Sequence, residues 1–186
     1  MVDTSRTVSD LTANLFQDGQ ASGSITPQDL RDFVETTQVK QGSIYVSSAT
    51  ATTIASSGVY VEAAGTWTLS TSPAANEFDM NTNGRLRYTG TPTVNCMFMV
   101  TTSMEMAAGT TLKETGLQLH KNGTLITGST VIRLSPSVNN KPGNVTTFAL
   151  ASMATNDYIS IYVANLDSTD NIIVDNANLI GYSLVT

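Results

Sequence analysis

The chain has 186 residues and a formal net charge of −6, and only 13% of its residues are charged, about half the usual ~25%. This length is enough for one domain with a real core and a short extension. An acidic chain without a Lys/Arg cluster lacks the cationic face that phosphate groups require, so we expect neither nucleic acid nor a membrane as a direct partner. The 29 Thr and 19 Ser favour β-structure, because Thr is enriched in strands.

The N-terminus and the single cysteine exclude some further classes. The sequence MVDTSRTVSDLT has no basic region followed by an apolar one, so no signal peptide is expected. No apolar run approaches the ~18 residues of a membrane helix. Cys96 cannot form an intramolecular disulfide, and its apolar surroundings, TVNCMFMV, predict a small buried side chain. We expect synthesis in a cytoplasm.

The first 41 residues are predicted to form an arm that contains one short helix. In SITPQDLRDFVETT, Thr26 has the character of an N-cap, and Pro27 suits the first helical position. An apolar face then follows at helical spacing, formed by Leu30, Phe33 and Val34. So short a helix is not stable alone in water, so this face is predicted to attach to something. The residues before it, DLTANLFQDGQASGS, are predicted to be irregular.

Residues 42–186 have a different, period-two pattern, which predicts strands separated by Gly, Pro, Asn and Ser/Thr. In DYISIYVAN, for example, Ile159, Ile161 and Val163 point to one side, and Tyr158 and Tyr162 point to the other. Many closely spaced strands with almost no helical pattern between them indicate an antiparallel sandwich or barrel. The pattern therefore predicts an all-β antiparallel sandwich or barrel behind an arm with one helix.

The only histidine lies in LQLHKNGTLI, beside a hairpin signal. Asn122-Gly123 favours a type I′ turn, because both central residues need positive φ. This turn pairs His120 with Leu125 and puts Leu117 on the core face. His120 then lies on the opposite face, where we expect it to be solvent-exposed and dispensable for folding. It has no carboxylate or nucleophile nearby in sequence, so we predict no catalytic role.

The carboxylates form no recognisable catalytic or metal-binding set. Asp79 begins DMNTNG, which matches the start of a calcium loop, but the Glu expected at the twelfth position is replaced by Gly90. Asp167 and Asp170 lie in the polar loop NLDSTDN. Turns and solvated loops explain these residues, although calcium binding stays open. Nucleotide, zinc and hydrolase motifs are absent from the sequence, so we expect no enzyme activity and no cofactor. A glycan-degrading enzyme, whose carboxylate pair only the fold would bring together, stays open as a third hypothesis.

The body resembles the tumour-necrosis-factor/complement-type jelly roll. One part of the resemblance is GLQLHKNGTLITGS, which is similar to that family's hairpin with a KNG turn. The other is LASMATNDYISIYVANLDSTDNIIVDNANLIGYSLV, with Gly181 in the final strand and Asn156-Asp157 where the family has Gly-Asp. The resemblance implies an all-β fold in the form of an antiparallel jelly-roll sandwich, and a compact homotrimer. We place Tyr158, Tyr162 and Tyr182 at the candidate trimer interface.

The arm resembles short N-terminal segments of tailed-phage structural proteins, which carry a run like that from Ile25 to Val34. This resemblance implies a bacteriophage virion structural protein without enzyme activity. The arm would attach it to a capsid or tail protein, and the body would serve either as capsid decoration or as a fibre or spike head. The alternative is a lectin-like module of a phage fibre that binds a carbohydrate, such as a host-surface glycan, or another receptor.

Overall fold

The structure is a computed structural model that describes residues 25–109, 111–135 and 143–184. This part contains one helix, α1 (Pro27–Thr37), and thirteen strands. The strands are β1 (Gln41–Ala49), β2 (Ala51–Thr52), β3 (Val61–Glu62), β4 (Gly65–Leu69), β5 (Phe78–Thr82), β6 (Arg85–Tyr88), β7 (Val94–Met106), β8 (Lys113–Lys121), β9 (Thr124–Leu125), β10 (Val131–Ser135), β11 (Gly143–Met153), β12 (Tyr158–Asn165) and β13 (Ile172–Ser183). The irregular segment predicted before Ser24 lies outside the described residues.

The strands form two antiparallel sheets packed face to face. Sheet A has the order β11-β7-β13-β1-β4, with β2 paired to β13, and sheet B has the order β10-β8-β12-β6-β5, with β3 on β12 and β9 on β8. The all-β jelly-roll prediction is confirmed. Strand β13 contains a β-bulge between Val174 and Asn176.

The core lies between the sheets and follows the alternation in the sequence. In β7 the residues from Cys96 to Met106 point inward at every second position, and in β12 Ile159, Ile161 and Val163 do the same. Cys96 is fully buried, as predicted, and burial raises the pKa of its thiol to about 12. An aromatic cluster fills one end of the core. Its ring centroids are 5.4 Å apart for Phe78 and Tyr88 and 6.3 Å apart for Phe78 and Phe98.

A pair of glycines makes room for these aromatic rings. Gly42 of β1 lies opposite Gly181 of β13 in the sheet register. A Cβ at Gly181 would lie 2.5 Å from the Phe98 ring, and one at Gly42 would lie 2.4 Å from Phe78 Cβ. The glycines therefore let the rings lie against the backbone of sheet A.

Helix α1 begins as the sequence predicts. Thr26 is the N-cap, and its side chain accepts a hydrogen bond from the backbone N–H of Asp29. Asp29 also accepts one from the Thr26 backbone, which completes a capping box. The buried residue of the helix is Asp32, whereas Leu30 and Val34 are 53% and 54% exposed.

A buried lysine fixes the end of α1 to the body. Lys40 is 2% exposed, and its ammonium group donates to the Glu35 carbonyl (2.7 Å) and carboxylate (2.8 Å). Glu77 of the body lies 3.5 Å from the same nitrogen. The Lys40 backbone also bonds to Ser183, the last residue of β13. Helix and sandwich are thus joined by a desolvated charge cluster.

The β8–β9 hairpin has the predicted register. His120 pairs with Leu125, and Lys121 pairs with Thr124. Asn122 and Gly123 both have positive φ, of 51° and 78°, as a type I′ turn requires.

We predict that Gly181→Ala destabilises the protein by about 1–3 kcal/mol, because the new methyl group overpacks the core against Phe98. Urea unfolding would measure the loss. Thr66→Ala, on the exposed side of β4, is the matched control and should change stability by less than about 0.5 kcal/mol. Equal stabilities of the two variants would contradict this account of the core.

Candidate functional site

The outer face of sheet A, which points away from the core, is apolar at one end. We call this surface the sheet A face. Phe148 and Leu150 of the edge strand β11 are 65% and 61% exposed. Their neighbours across the sheet are methionines, isoleucine and tyrosine. The surface consists of Tyr45, Met97, Met99, Phe148, Leu150, Ile180 and Tyr182.

The strand register arranges these side chains in rows. One row runs Leu150, Met97, Tyr182 from β11 through β7 to β13, and the next runs Phe148, Met99, Ile180. Directly opposite residues on one face of a sheet have Cβ atoms about 5 Å apart, so the rows form one continuous surface. The Tyr182 hydroxyl lies 3.6 Å from Met97 Sδ.

Charge is almost absent from this sheet. Its six strands contain no Lys or Arg, and their only acidic residues are Glu105 and Asp175, at the end away from the apolar rows. Burial raises the pKa of Asp175, and burial together with the nearby Asp175 raises the pKa of Glu105. The sheet A face therefore loses little charge solvation when it is covered, which suits an interface between proteins.

A second apolar surface lies at the edge of sheet B. Ile132 and Leu134 of β10 are both more than half exposed. Strand β10 is held beside β11 by Thr147, whose hydroxyl donates to the Ser129 carbonyl (2.9 Å), and by Arg133, which donates to the Asn144 carbonyl. We call this surface, Ile132 and Leu134, the β10 edge. It is distinct from the sheet A face in position and shape.

The β10 edge lies on the outer face of sheet B, because Ile132 pairs with Gly116 of β8. The rest of that face has aromatic and polar side chains. The rings of His120 and Tyr162 are stacked, with centroids 3.7 Å apart and an interplanar angle of 7°. The Arg85 guanidinium lies 4.5 Å from the centre of the Tyr158 ring. It also forms two hydrogen bonds of 2.9 Å with the Glu62 carboxylate. We call this group the sheet B cluster: Tyr60, Glu62, Arg85, Gln118, His120, Tyr158 and Tyr162.

The expectation that His120 is solvent-exposed is wrong. It lies on the predicted face, but it is only 8% exposed. Its Nδ1 donates to the Gly123 carbonyl (3.0 Å), and its Nε2 lies 2.9 Å from Gln118 Oε1. The covering ring, Tyr162, is a diagonal neighbour, because the residue opposite His120 on β12 is Ser160. The residue register of the β8–β9 hairpin, which the sequence predicts, does not reveal a neighbour on a third strand.

The three tyrosines predicted to share an interface are divided between the sheets. Tyr158 and Tyr162 lie on β12 in sheet B, and Tyr182 lies on β13 in sheet A. On each strand the tyrosines point away from the core, as the alternation predicts. However, β12 and β13 belong to opposite layers of the sandwich. Tyr182 therefore belongs to the sheet A face, and Tyr158 and Tyr162 belong to the sheet B cluster.

The three predicted attachment residues stay on one side of α1. Leu30, Phe33 and Val34 are each more than 40% exposed. A depression of about 280 Å³ lies along this side and is lined by Leu30, Val34, Arg31, Glu35 and Gln38. The helix thus carries an apolar surface with a polar border.

The acidic loops use their carboxylates in their own structure. Asp79 forms an ion pair with Arg87 across the β5–β6 hairpin. Asp167 accepts a hydrogen bond from the Glu114 backbone (2.7 Å), and Asp170 accepts one from the Ser168 hydroxyl (2.9 Å). Within the described ranges, no three His, Cys, Asp or Glu side chains converge as metal ligands, and no helix is long and apolar enough to span a membrane.

Sequence reasoning missed most of the sheet A face, although a signal for it exists. Because Cys96 and Phe98 point inward, the period of two places Met97 and Met99 outward. The same argument identifies Phe148 and Leu150. The contacts of Arg85 with Glu62 join β6 to β3, and nothing in the sequence indicates that pairing.

Comparison with solved structures defines the class of fold. Murine APRIL at pH 5.0 matches with a TM-score of 0.50 and 10% identity, over 79% of this chain and 100% of that one. The Eiger TNF from S. frugiperda matches with a TM-score of 0.51 and 9% identity, over 78% and 92%. No protein-family model matches the sequence, and no curated protein matches it. The chain therefore has a tumour-necrosis-factor-like jelly-roll fold, as the resemblance implied.

We predict that His120→Ala destabilises the fold by about 1–3 kcal/mol, because it removes a buried ring and leaves its hydrogen-bond partners unsatisfied. A double-mutant cycle with Tyr162→Ala should give a coupling energy of about 0.5–1.5 kcal/mol, as expected for stacked rings. Leu125→Ala, exposed on the same hairpin, is the control. Additive losses from the two variants would show that the stack contributes nothing.

Proposed function

We propose that this chain is a non-enzymatic structural protein of a virion, built as a homotrimer and attached through its N-terminal arm. The observation that carries the proposal is the sheet A face. A contiguous apolar surface of this kind is unusual on a monomer and is typical of an interface. Tyr and Met, which form part of it, are enriched in the cores of interfaces.

The arrangement of the apolar surfaces favours a ring. A two-fold dimer would pair the sheet A face with itself and leave the β10 edge exposed. A heterologous contact instead places the β10 edge and β11 of one copy against the sheet A face of the next, and such contacts close into rings. The jelly-roll resemblance implies that the ring contains three subunits.

The attachment role rests on helix α1. The apolar side of the helix faces outward. The C-terminal end of the helix is held to the body by the ion pairs of Lys40 with Glu35 and Glu77. Leu30 and Val34 are each more than half exposed, so we assign this side of the helix, which also carries Phe33, to a contact with a capsid or tail protein. The phage-like run from Ile25 to Val34 supports a virion as the destination.

We predict that the protein is a trimer at micromolar concentration and that the double variant Phe148→Asp/Leu150→Asp is a monomer. Two carboxylates in the centre of a desolvated interface would be buried without partners. Multi-angle light scattering measures the state, and circular dichroism verifies that the monomer keeps its fold. Leu125→Asp, on the outer side of sheet B, should remain trimeric. A monomeric wild-type protein would refute the assembly.

We also predict that Leu30→Asp/Val34→Asp reduces incorporation into particles at least about tenfold without changing the trimer or its melting temperature, because both side chains are already exposed. Mass spectrometry of purified virions counts the copies of the protein. Thr37→Asp, exposed on the same helix, is the matched control. Normal incorporation of the double variant would place attachment elsewhere and leave the trimer unaffected.

A further inference from the structure

Packing of the core does not explain why the sheet B cluster contains three tyrosines. Three of the six tyrosines of the chain, Tyr60, Tyr158 and Tyr162, lie there. The core side of β12 is filled by aliphatic residues, so the sandwich does not depend on tyrosines on the outer side. A quarter of the twelve aromatic residues of the chain therefore lie on one polar surface.

The cluster is held rigid from behind. Gln118 donates to the Thr130 hydroxyl (3.1 Å), interacts with the Tyr60 hydroxyl and contacts His120. His120 in turn supports the Tyr162 ring. Gly116 is required beneath Tyr60, because a Cβ there would lie 2.0 Å from the Tyr60 hydroxyl. A surface whose side chains are fixed in advance loses little entropy when a ligand binds.

Several polar atoms in and beneath the cluster have no hydrogen-bond partner among the described residues. The Tyr158 and Tyr162 hydroxyls both point to the hairpin turn, since a Cβ at Gly123 would lie 4.0 Å and 3.8 Å from them. Neither hydroxyl has a hydrogen-bond partner among the described residues. Beneath them Ser160 is fully buried, and its hydroxyl also has no partner in that part of the chain. Unused hydroxyls beside aromatic rings are suited to a ligand that offers both C–H surface and hydroxyl groups.

The charges indicate that this ligand is neutral. Arg85 is neutralised by the paired Glu62 carboxylate, and Arg87 is neutralised by Asp79. A phosphate or another anion would have to compete with these carboxylates, and the net charge of −6 disfavours it further. The Arg85–Glu62 pair still presents donors and acceptors side by side at the border of the tyrosines.

We propose that the sheet B cluster binds a neutral saccharide, with one pyranose ring against Tyr158 and Tyr162 and its hydroxyls toward their phenol groups and the Arg85–Glu62 pair. The proposal rests on the proposed function in one respect: with the sheet A face inside the trimer, sheet B points outward and is open to a glycan. Each trimer then presents three equivalent sites, and their combined binding to a polysaccharide exceeds that of one site.

The test uses the full chain and saturation-transfer NMR. The probes are the methyl glycosides of glucose, galactose and rhamnose, with N-acetylglucosamine as a fourth neutral sugar and glucose 6-phosphate as an anionic comparator. We expect signal from at least one neutral probe. In the variant Tyr158→Phe/Tyr162→Phe, which keeps both rings, binding of that probe should weaken by about fivefold or more, because its hydrogen bonds are lost. Tyr45→Phe, on the opposite sheet, should bind normally.

Three results would overturn the proposal: no signal from any neutral probe, equal binding by the double phenylalanine variant, or stronger binding of glucose 6-phosphate. Light scattering on the same samples reports the assembly separately. A monomer that still binds sugar would refute the trimer and leave the saccharide site intact. A trimer that binds no sugar would refute the saccharide site and leave the proposed assembly intact.

Discussion

The alternation of buried and outward residues along β7, β12 and β13 is the constraint on which the rest of the structure depends. Each of these central strands must fill the space between two sheets with every second side chain, and a shift of one residue would turn the whole set outward. The glycine pair Gly42 and Gly181 belongs to the same constraint, because the rings of Phe78 and Phe98 occupy the volume that side chains there would take. Once this register is fixed, every remaining residue of these strands is placed on an outer face.

The two outer faces then have opposite chemistry. Sheet A has no basic residue in its strands, and its rows end in exposed apolar side chains such as Phe148 and Leu150. Sheet B has paired charges and stacked rings, of which Arg85–Glu62 and His120–Tyr162 are the clearest. Covering the first face costs little desolvation, whereas covering the second would bury ion pairs. One molecule can therefore assemble through one sheet and bind a polar ligand through the other.

The sequence predicts local structure well where one or two neighbouring residues determine it. The Thr26 cap, the Asn122-Gly123 turn and the buried Cys96 depend on short-range geometry or on one apolar run, and all three are confirmed. The division of Tyr158 and Tyr182 between sheets depends on long-range pairing that no local pattern contains.

The prediction that His120 is exposed fails for a related reason. The ring that covers it, Tyr162, comes from a diagonal position on a strand about forty residues away. The candidate surfaces are therefore only half predictable. Alternation tells which residues point outward, but it does not tell which outward residues of different strands meet. The contact of Lys40 with Glu77 of the body belongs to the same class of long-range features that the sequence does not reveal.

Lys40 also connects the proposed attachment helix with the proposed trimer interface. It binds the end of α1 through Glu35, and its backbone pairs with Ser183 of β13, the middle strand of sheet A. The next residues of that strand and of β7, Tyr182 and Met97, form the end row of the sheet A face. In the proposed trimer the three helices therefore emerge at the same end as the three most apolar rows. Three weak helix contacts at one end act together, because the first to bind raises the effective concentration of the other two. A helix of three turns can then suffice for stable attachment, provided that the sheet A face holds the trimer together.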